Sequence, residues 1–261
     1  MRLVRGTGKV YLVGAGPGDP GLLTIKAVNL LKAADCVIYD YLVNPEILEY
    51  AAPHAEKIYV GKKGGGHSWK QDDINRLMIA KANENRLVVR LKGGDPFIFG
   101  RGGEEALALV EAGIGWEVVP GVTAGSSVAS YAGIPVTHRG VSSSVTFVTG
   151  HETSDKSFSK VQWEYLAKGV DTLVFFMGVA KLSEISQQLI QYGRDHATPV
   201  AVVRWGTYNE QEVLIGDLSN IAAQIERAQV KAPALIIVGE VVRLREKLNW
   251  FTPSIATALA A

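Results

Sequence analysis

The chain has 261 residues, of which 47% are hydrophobic and 20% are charged, as in an ordinary globular protein. A formal net charge of +1 excludes a strong basic field, so we expect neither a nucleic-acid partner nor a membrane surface. The single cysteine, Cys36, lies in an apolar run, which predicts a core residue in a cytoplasmic protein without an internal disulfide. The sequence has no paired cysteines or histidine cluster, so no metal site is predicted.

Strand-like and helix-like patterns alternate along the first half of the chain. Apolar runs predict strands at residues 10–13, 36–39, 58–60 and 87–91. Helices are predicted at residues 25–34, 71–78 and 106–112, the first with Thr24 as its N-cap. This alternation favours a mostly parallel sheet.

The second half has elements of its own. Strands are predicted at residues 145–149, 173–177, 200–205, 213–215 and 235–238, and helices at 182–192 and 221–228. Between the halves, proline, glycine and small residues cluster at 118–125. We therefore expect an α/β fold of two successive domains, residues 9–126 and 127–245, with the active-site cleft between them. Residues 246–261 are expected to form a flexible tail.

Two glycine-rich stretches directly follow predicted strands, the first at residues 14–21 and the second at 92–105. Open α/β sheets bind ligands at the carboxyl ends of their strands, and glycine lets the main chain approach a ligand closely. A turn without a ligand explains one such stretch. Two of them after separate strands favour a ligand site.

The first stretch has an alternative interpretation as a dinucleotide-binding fingerprint. The pattern G-x-G-x-x-G requires a glycine at position 19, where this chain has Asp19. Pro17 and Pro20 also delay the predicted helix to about Thr24, so its N-terminus is not placed against a pyrophosphate. A nicotinamide-dependent oxidoreductase is therefore the less favoured class.

Charged side chains accompany the glycine-rich stretches. Arg101 and Glu104 lie beside glycines at the predicted strand end, which favours a functional role over a solvated surface pair. Lys62, in a glycine-flanked loop, fits a functional cation and an exposed surface residue equally well. His138 and Arg139 place two cations side by side.

The order of these motifs resembles that of the tetrapyrrole methylases. The resemblance rests on residues 13–18 followed by 22–27, on 88–100, and on 120–124. Residues 135–140 resemble in particular the members that act on uroporphyrinogen III. The match extends from about Lys9 to Val242, which is nearly the whole chain.

The resemblance implies a fold of the tetrapyrrole methylase type, a homodimer, and S-adenosylmethionine as methyl donor. It implies two methylations of uroporphyrinogen III, on rings A and B at carbons 2 and 7, which give precorrin-2 and S-adenosylhomocysteine. It places the product in porphyrin biosynthesis, on the way to sirohaem, cobalamin or another modified tetrapyrrole. The residues implied to contact the donor are Pro17, Gly93, Gly94, Asp95, Ile98, Thr123, Ala124, Met177, Gly206 and Ala234.

The resemblance also assigns a proton acceptor to Asp40 and a proton donor to Lys62. Uroporphyrinogen III bears eight carboxylates, and the cations expected to bind them are Lys62, Arg101, His138 and Arg139. A proton must leave the macrocycle after methylation, which gives Asp40 or Glu104 a general-base role. Arg101 and Glu104 are thus expected to face the macrocycle at the catalytic centre.

Two alternatives share the same donor loops. One is another tetrapyrrole methyltransferase, acting on a later precorrin. The other is a protein that binds the donor and transfers nothing, in which case the acid and base candidates are dispensable.

Overall fold

The structure is a computed structural model, and it describes residues 8–61, 69–84, 86–150 and 161–252. The chain divides into two compact units, the first ending at Thr123 and the second beginning at Ala124. The division falls within the proline- and glycine-rich stretch at residues 118–125. Each unit is built around a five-stranded sheet with helices.

Unit 1 contains an all-parallel sheet in the order β3-β2-β4-β1-β5. Its strands are β1 (Lys9–Gly14), β2 (Cys36–Tyr39), β3 (Glu56–Tyr59), β4 (Leu87–Lys92) and β5 (Gly115–Val119). Its helices are α1 (Ile25–Ala33), α2 (Gln71–Asn83) and α3 (Gly102–Glu111). Because all five strands run the same way, the loops that follow them meet at one edge of the sheet.

Both faces of this sheet are covered by apolar side chains. On one face Leu31 of α1 packs in a cluster with Val89 and Leu91 of β4. On the other face Met78 of α2 and Leu109 of α3 share a cluster with Cys36. Cys36 is fully buried, which confirms its predicted role as a core residue, and burial raises the pKa of its thiol to about 11.

Unit 2 contains a mixed sheet in the order β6-β7-β10-β8-β9. Its strands are β6 (Val145–Thr149), β7 (Thr172–Phe176), β8 (Pro199–Arg204), β9 (Glu212–Asp217) and β10 (Ala234–Val238). Its helices are α4 (Ala124–Tyr131), α5 (Trp163–Gly169), α6 (Leu182–Gln191), α7 (Ile221–Arg227) and α8 (Arg245–Leu248). Strand β10 runs antiparallel to both β7 and β8, which therefore run parallel to each other. Helices α6 and α7 pack in one core cluster, and α4 packs in the other.

The α/β architecture and the predicted strands are confirmed. Thr24 caps α1, since its hydroxyl accepts a hydrogen bond from the amide of Ala27 at 3.1 Å. The sequence interpretation missed β5, α4 and α5. In the described ranges, none of the helices combines the length and apolar character needed to cross a membrane.

The expected flexible tail requires a correction at its beginning. Trp250 donates a hydrogen bond from Nε1 to the carbonyl oxygen of Ser130 at 2.9 Å. The rings of Trp250 and Phe251 lie 5.0 and 4.9 Å from that of Tyr131, measured between centroids. Trp250 and Phe251 therefore contact the end of α4, and Trp250 remains 61% exposed. Residues 253–261 lie outside the described ranges.

The loops after β1, β4 and β5 approach one another through glycine backbone. A Cβ atom on Gly14 would lie 2.5 Å from Gly121 Cα and 2.6 Å from the carbonyl oxygen of Gly94. A Cβ atom on Gly121 would lie 2.7 Å from Gly14 Cα and closer still to Gly94 O. No side chain fits between these loops, so glycine is required where they meet.

Replacing Gly121 with alanine is expected to lower the free energy of unfolding by at least about 2 kcal/mol, because the new methyl group overlaps backbone atoms. The measurement is urea unfolding followed by circular dichroism. The matched control is Gly103→Ala, whose Cβ meets nothing within 4 Å in the first turn of α3. It is expected to be neutral or stabilising by up to about 1 kcal/mol. Equal unfolding midpoints for Gly121→Ala and wild type would contradict this steric account.

Candidate active site

The glycine-rich loops of unit 1 are joined by direct hydrogen bonds. Gly16 and Gly94 exchange two backbone hydrogen bonds, at 3.2 and 2.7 Å. Asp95 accepts from the amide of Phe97 at 2.8 Å through Oδ1 and from the amide of Gly121 at 3.1 Å through Oδ2. The carboxylate of Asp95 thus links the loop after β4 to the loop after β5.

The predicted donor-binding residues of unit 1 lie on these joined loops. Pro17, Gly93, Gly94, Asp95 and Ile98 are each half-buried, so each keeps some surface for a ligand. Gly93 has no room for a side chain, because a Cβ there would lie 2.6 Å from Leu42 Cβ. Gly94 has φ +67°, in the left-handed region that favours glycine. Thr123, the last residue of unit 1, is also half-buried and ends the segment after β5.

A buried ionic cluster lies beside these loops, on the face of the sheet that carries α2 and α3. Arg90 and Lys92 of β4 are 3% and 4% exposed, and Glu105 of α3 is fully buried. Glu105 Oε1 accepts from Arg90 Nε at 3.0 Å and from Lys92 Nζ at 3.0 Å. It also accepts from the side-chain amide of Gln71, the first residue of α2, at 3.2 Å. Opposite charges and hydrogen bonds therefore compensate for burial of the ions.

Asp40 is attached to this cluster. Arg90 donates from Nη2 to Asp40 Oδ2 at 3.3 Å, and the amide of Leu42 donates to Asp40 Oδ1 at 3.3 Å. The Asp40 side chain is 27% exposed. Burial and the charge of Arg90 lower the pKa of Lys92, and Glu105 opposes that shift.

The sequence interpretation missed Arg90 and the buried role of Glu105. The available signal was a charged residue inside an otherwise apolar strand, residues 87–91. A buried strand places a charge there only when partners for it exist in the fold.

Arg101 and Glu104, both predicted to face the substrate, form an exposed ion pair. Arg101 adopts φ +59° immediately before α3 and donates to Glu104 from Nε at 2.9 Å and from Nη2 at 2.6 Å. This side-on pairing raises the pKa of Arg101 and lowers the pKa of Glu104. Both oxygens of Glu104 are thus bonded to Arg101, and the lowered pKa makes this carboxylate a weaker base.

The donor-binding residues predicted in unit 2 also gather at one edge of their sheet. Met177 directly follows β7, Gly206 is the second residue after β8, and Ala234 is the first residue of β10. The register pairs Ala234 with Arg204 and Leu235 with Phe176, which places these three positions at neighbouring strand ends. Ala124 is the first residue of α4, a helix that packs on the same sheet.

The turn that carries Gly206 is strained and tightly packed. Trp205 and Thr207 have φ +47° and +73°, which side chains rarely adopt. A Cβ on Gly206 would lie 2.6 Å from Val128 Cγ2 of α4. Gln211 holds the turn, accepting from the amide of Thr207 at 3.0 Å and donating to the carbonyl of Tyr131 at 3.1 Å.

The remaining predicted cations are His138, Arg139 and Lys62. His138 and Arg139 are exposed on a turn of unit 2, which is closed by backbone hydrogen bonds between His138 and Ser142 at 3.0 and 2.9 Å. Lys62 lies outside the described ranges.

Comparisons with known proteins match nearly the whole chain. Residues 9–222 match the family described as tetrapyrrole (corrin/porphyrin) methylases. A uroporphyrinogen-III C-methyltransferase from Bacillus subtilis is 49% identical over 244 residues, which cover 94% of this chain and 95% of that protein. A siroheme synthase from Azotobacter vinelandii is 54% identical over 244 residues, and the chain spans about half (52%) of that longer protein.

A solved structure matches the fold at a similar level. It is the crystal structure of uroporphyrin-III C-methyl transferase from Thermus thermophilus complexed with S-adenyl homocysteine. The two chains are 43% identical with a TM-score of 0.77, and the match covers 91% of this chain and 100% of the other.

Proposed function

This chain belongs to the tetrapyrrole (corrin/porphyrin) methylases, and we propose that it uses S-adenosylmethionine to methylate uroporphyrinogen III twice. The methyl groups go to rings A and B, at carbons 2 and 7, and the product is precorrin-2. The observation that carries the proposal is the match with a uroporphyrinogen-III C-methyltransferase over almost the full length of both chains. A protein similar in fold and sequence binds S-adenosylhomocysteine, which supports the choice of donor.

The loops of unit 1 fit this donor. S-adenosylmethionine carries no phosphate, and residues 14–18 and 93–98 contain no lysine or arginine. They offer main-chain groups at Gly93 and Gly94, and the half-buried side chain of Ile98 adds apolar surface. Gly93 has no side chain, and a Cβ there would overlap Leu42. Its backbone therefore stays accessible to the donor. The resemblance also assigns Met177, Gly206 and Ala234, at strand ends of unit 2, to contact with the donor.

The chemistry of the bound donor is the delivery of a methyl group from a positively charged sulfur. When a pyrrole carbon of the substrate bonds to that methyl carbon, the carbon–sulfur bond breaks and its electron pair stays on sulfur. The macrocycle then carries a positive charge until a proton leaves it. We assign the acceptance of that proton to Asp40, whose carboxylate is partly exposed and fixed through both oxygens.

The eight carboxylates of the substrate account for the cations. Arg101 uses Nε and Nη2 for Glu104, so we place a substrate carboxylate at its third nitrogen, Nη1. His138 and Arg139 are exposed and free of apolar cover, which suits the same task. The resemblance adds Lys62 as a proton donor, a homodimer as the assembly, and a cytoplasmic location in keeping with a single cysteine.

The direct test is incubation of the purified chain with S-adenosylmethionine and uroporphyrinogen III under reducing conditions, followed by mass spectrometry of the tetrapyrrole. The expected result is a product that gains two methyl groups, located on rings A and B. Methyl groups at other carbons, or transfer only to a later precorrin, would identify a different member of the family. No transfer to any tetrapyrrole would reject the proposal.

Arg101→Ala is expected to raise KM for uroporphyrinogen III by about tenfold, because a charge-assisted hydrogen bond to a substrate carboxylate is lost. Steady-state kinetics measure this change, and calorimetry is expected to show S-adenosylhomocysteine binding within about twofold of wild type. The matched control is Arg243→Ala, which removes another exposed arginine paired with a glutamate three residues away, Glu240. Loss of S-adenosylhomocysteine binding in Arg101→Ala would place this arginine in the donor site.

A further inference from the structure

We propose that Arg90 is a positioning residue for Asp40, held in place by Glu105, and that it fixes the carboxylate that accepts the macrocycle proton. This inference rests on the proposed function, because it concerns the same reaction. Arg90 is 3% exposed, so it is shielded from direct contact with a ligand. Its hydrogen bond to the partly exposed Asp40 is the contact through which we expect it to affect the reaction.

The geometry fixes the guanidinium group on three sides. Nε donates to Glu105 at 3.0 Å, and Nη2 donates to Asp40 at 3.3 Å. Nη1 donates to the carbonyl oxygens of Ile38 in β2 and Leu91 in β4, at 3.4 and 3.2 Å. A planar group bonded at all three nitrogens cannot turn without losing several hydrogen bonds.

Asp40 is bonded on one side and exposed on the other. Oδ2 accepts a hydrogen bond from Arg90 and Oδ1 accepts one from the amide of Leu42. The side chain of Asp40 is 27% exposed. A general base needs a fixed direction toward its proton, and these two bonds supply it.

The charged and titratable groups around Asp40 come from several elements. The cations are Arg90 and Lys92 on β4, and the other carboxylate is the buried Glu105 on α3. Tyr59 on β3 faces it as well, and burial and the charge of Asp40 raise the pKa of that phenol. Tyr39 and Tyr41 flank Asp40 in sequence. Of these two cations, Arg90 is the one that donates a hydrogen bond to the Asp40 carboxylate.

Lysine cannot replace arginine in this arrangement. Arg90 bridges Glu105 and Asp40 through different nitrogens, whereas an ammonium group is a single point of charge. Glu105 also accepts a hydrogen bond from Lys92, so the carboxylate that holds Arg90 is itself fixed by a second cation. A purely structural ion pair would affect stability without affecting the reaction, and the two roles give different results in the following experiment.

The experiment compares kcat for methylation in wild type, Arg90→Lys, Asp40→Asn and the double variant. Arg90→Lys is expected to lower kcat by about tenfold, because an ammonium group cannot hold Asp40 and Glu105 through separate nitrogens. Binding of S-adenosylhomocysteine is expected to stay within about twofold of wild type. Asp40→Asn is expected to lower kcat by about a hundredfold. In that background Arg90→Lys is expected to cause no further loss, because it acts through Asp40.

A second variant, Glu105→Gln, tests the same inference if Arg90→Lys does not fold. It keeps Arg90 and replaces its partner Glu105 with an uncharged side chain of the same shape. It is expected to lower kcat several-fold in the presence of Asp40 and not in its absence. The matched control is Arg86→Lys, which makes the same change just before β4, where the arginine pairs with Glu56. The kcat of Arg86→Lys is expected to match that of wild type.

The outcomes separate this inference from the proposed function. If wild type transfers no methyl group, the proposed function is wrong and this inference falls with it. If wild type is active and Arg90→Lys has an unchanged kcat, the inference alone is wrong. Equal losses of kcat with and without Asp40 would likewise assign Arg90 a structural role only.

Discussion

The candidate site of unit 1 depends on three loops whose main chains lie too close together to admit any side chain. Gly14, Gly94 and Gly121 meet at this point, and the carboxylate of Asp95 closes it by binding the amide of Gly121. The parallel sheet brings the loops to one edge, since β1 lies between β4 and β5. The same glycines that permit this contact leave main-chain groups accessible to a ligand, so the packing constraint and the binding surface have one cause.

The side chains of strand β4 alternate between an apolar face and a charged face of the sheet. Its alternate side chains Val89 and Leu91 pack in the apolar cluster beneath α1, whereas Arg90 and Lys92 point to the opposite face and meet Glu105. After the strand ends, Gly93 and Gly94 continue as bare backbone. Strand β4 therefore leads into a loop without lysine or arginine at residues 93–98, and its alternate side chains Arg90 and Lys92 build the charged cluster attached to Asp40.

Much of this arrangement was predictable from the sequence, for identifiable reasons. Apolar runs revealed β1, β2 and β4, and the hydroxyl of Thr24 marked the start of α1. Strand β5 was missed because Gly115 and Glu117 interrupt its apolar pattern, and α4 because small residues hide its periodicity. The ion cluster was missed because Arg90 and Glu105 are distant in sequence and meet only through tertiary structure. The packing of Trp250 on Ser130 joins positions still farther apart.

The central claim is that these glycine-rich loops bind a methyl donor and not a dinucleotide. Calorimetric titration of the wild-type chain with S-adenosylhomocysteine, and separately with NAD, tests it most directly. The account predicts saturable binding of S-adenosylhomocysteine with one site per chain, and no binding of NAD at the same concentrations. Saturable binding of NAD without binding of S-adenosylhomocysteine would contradict it.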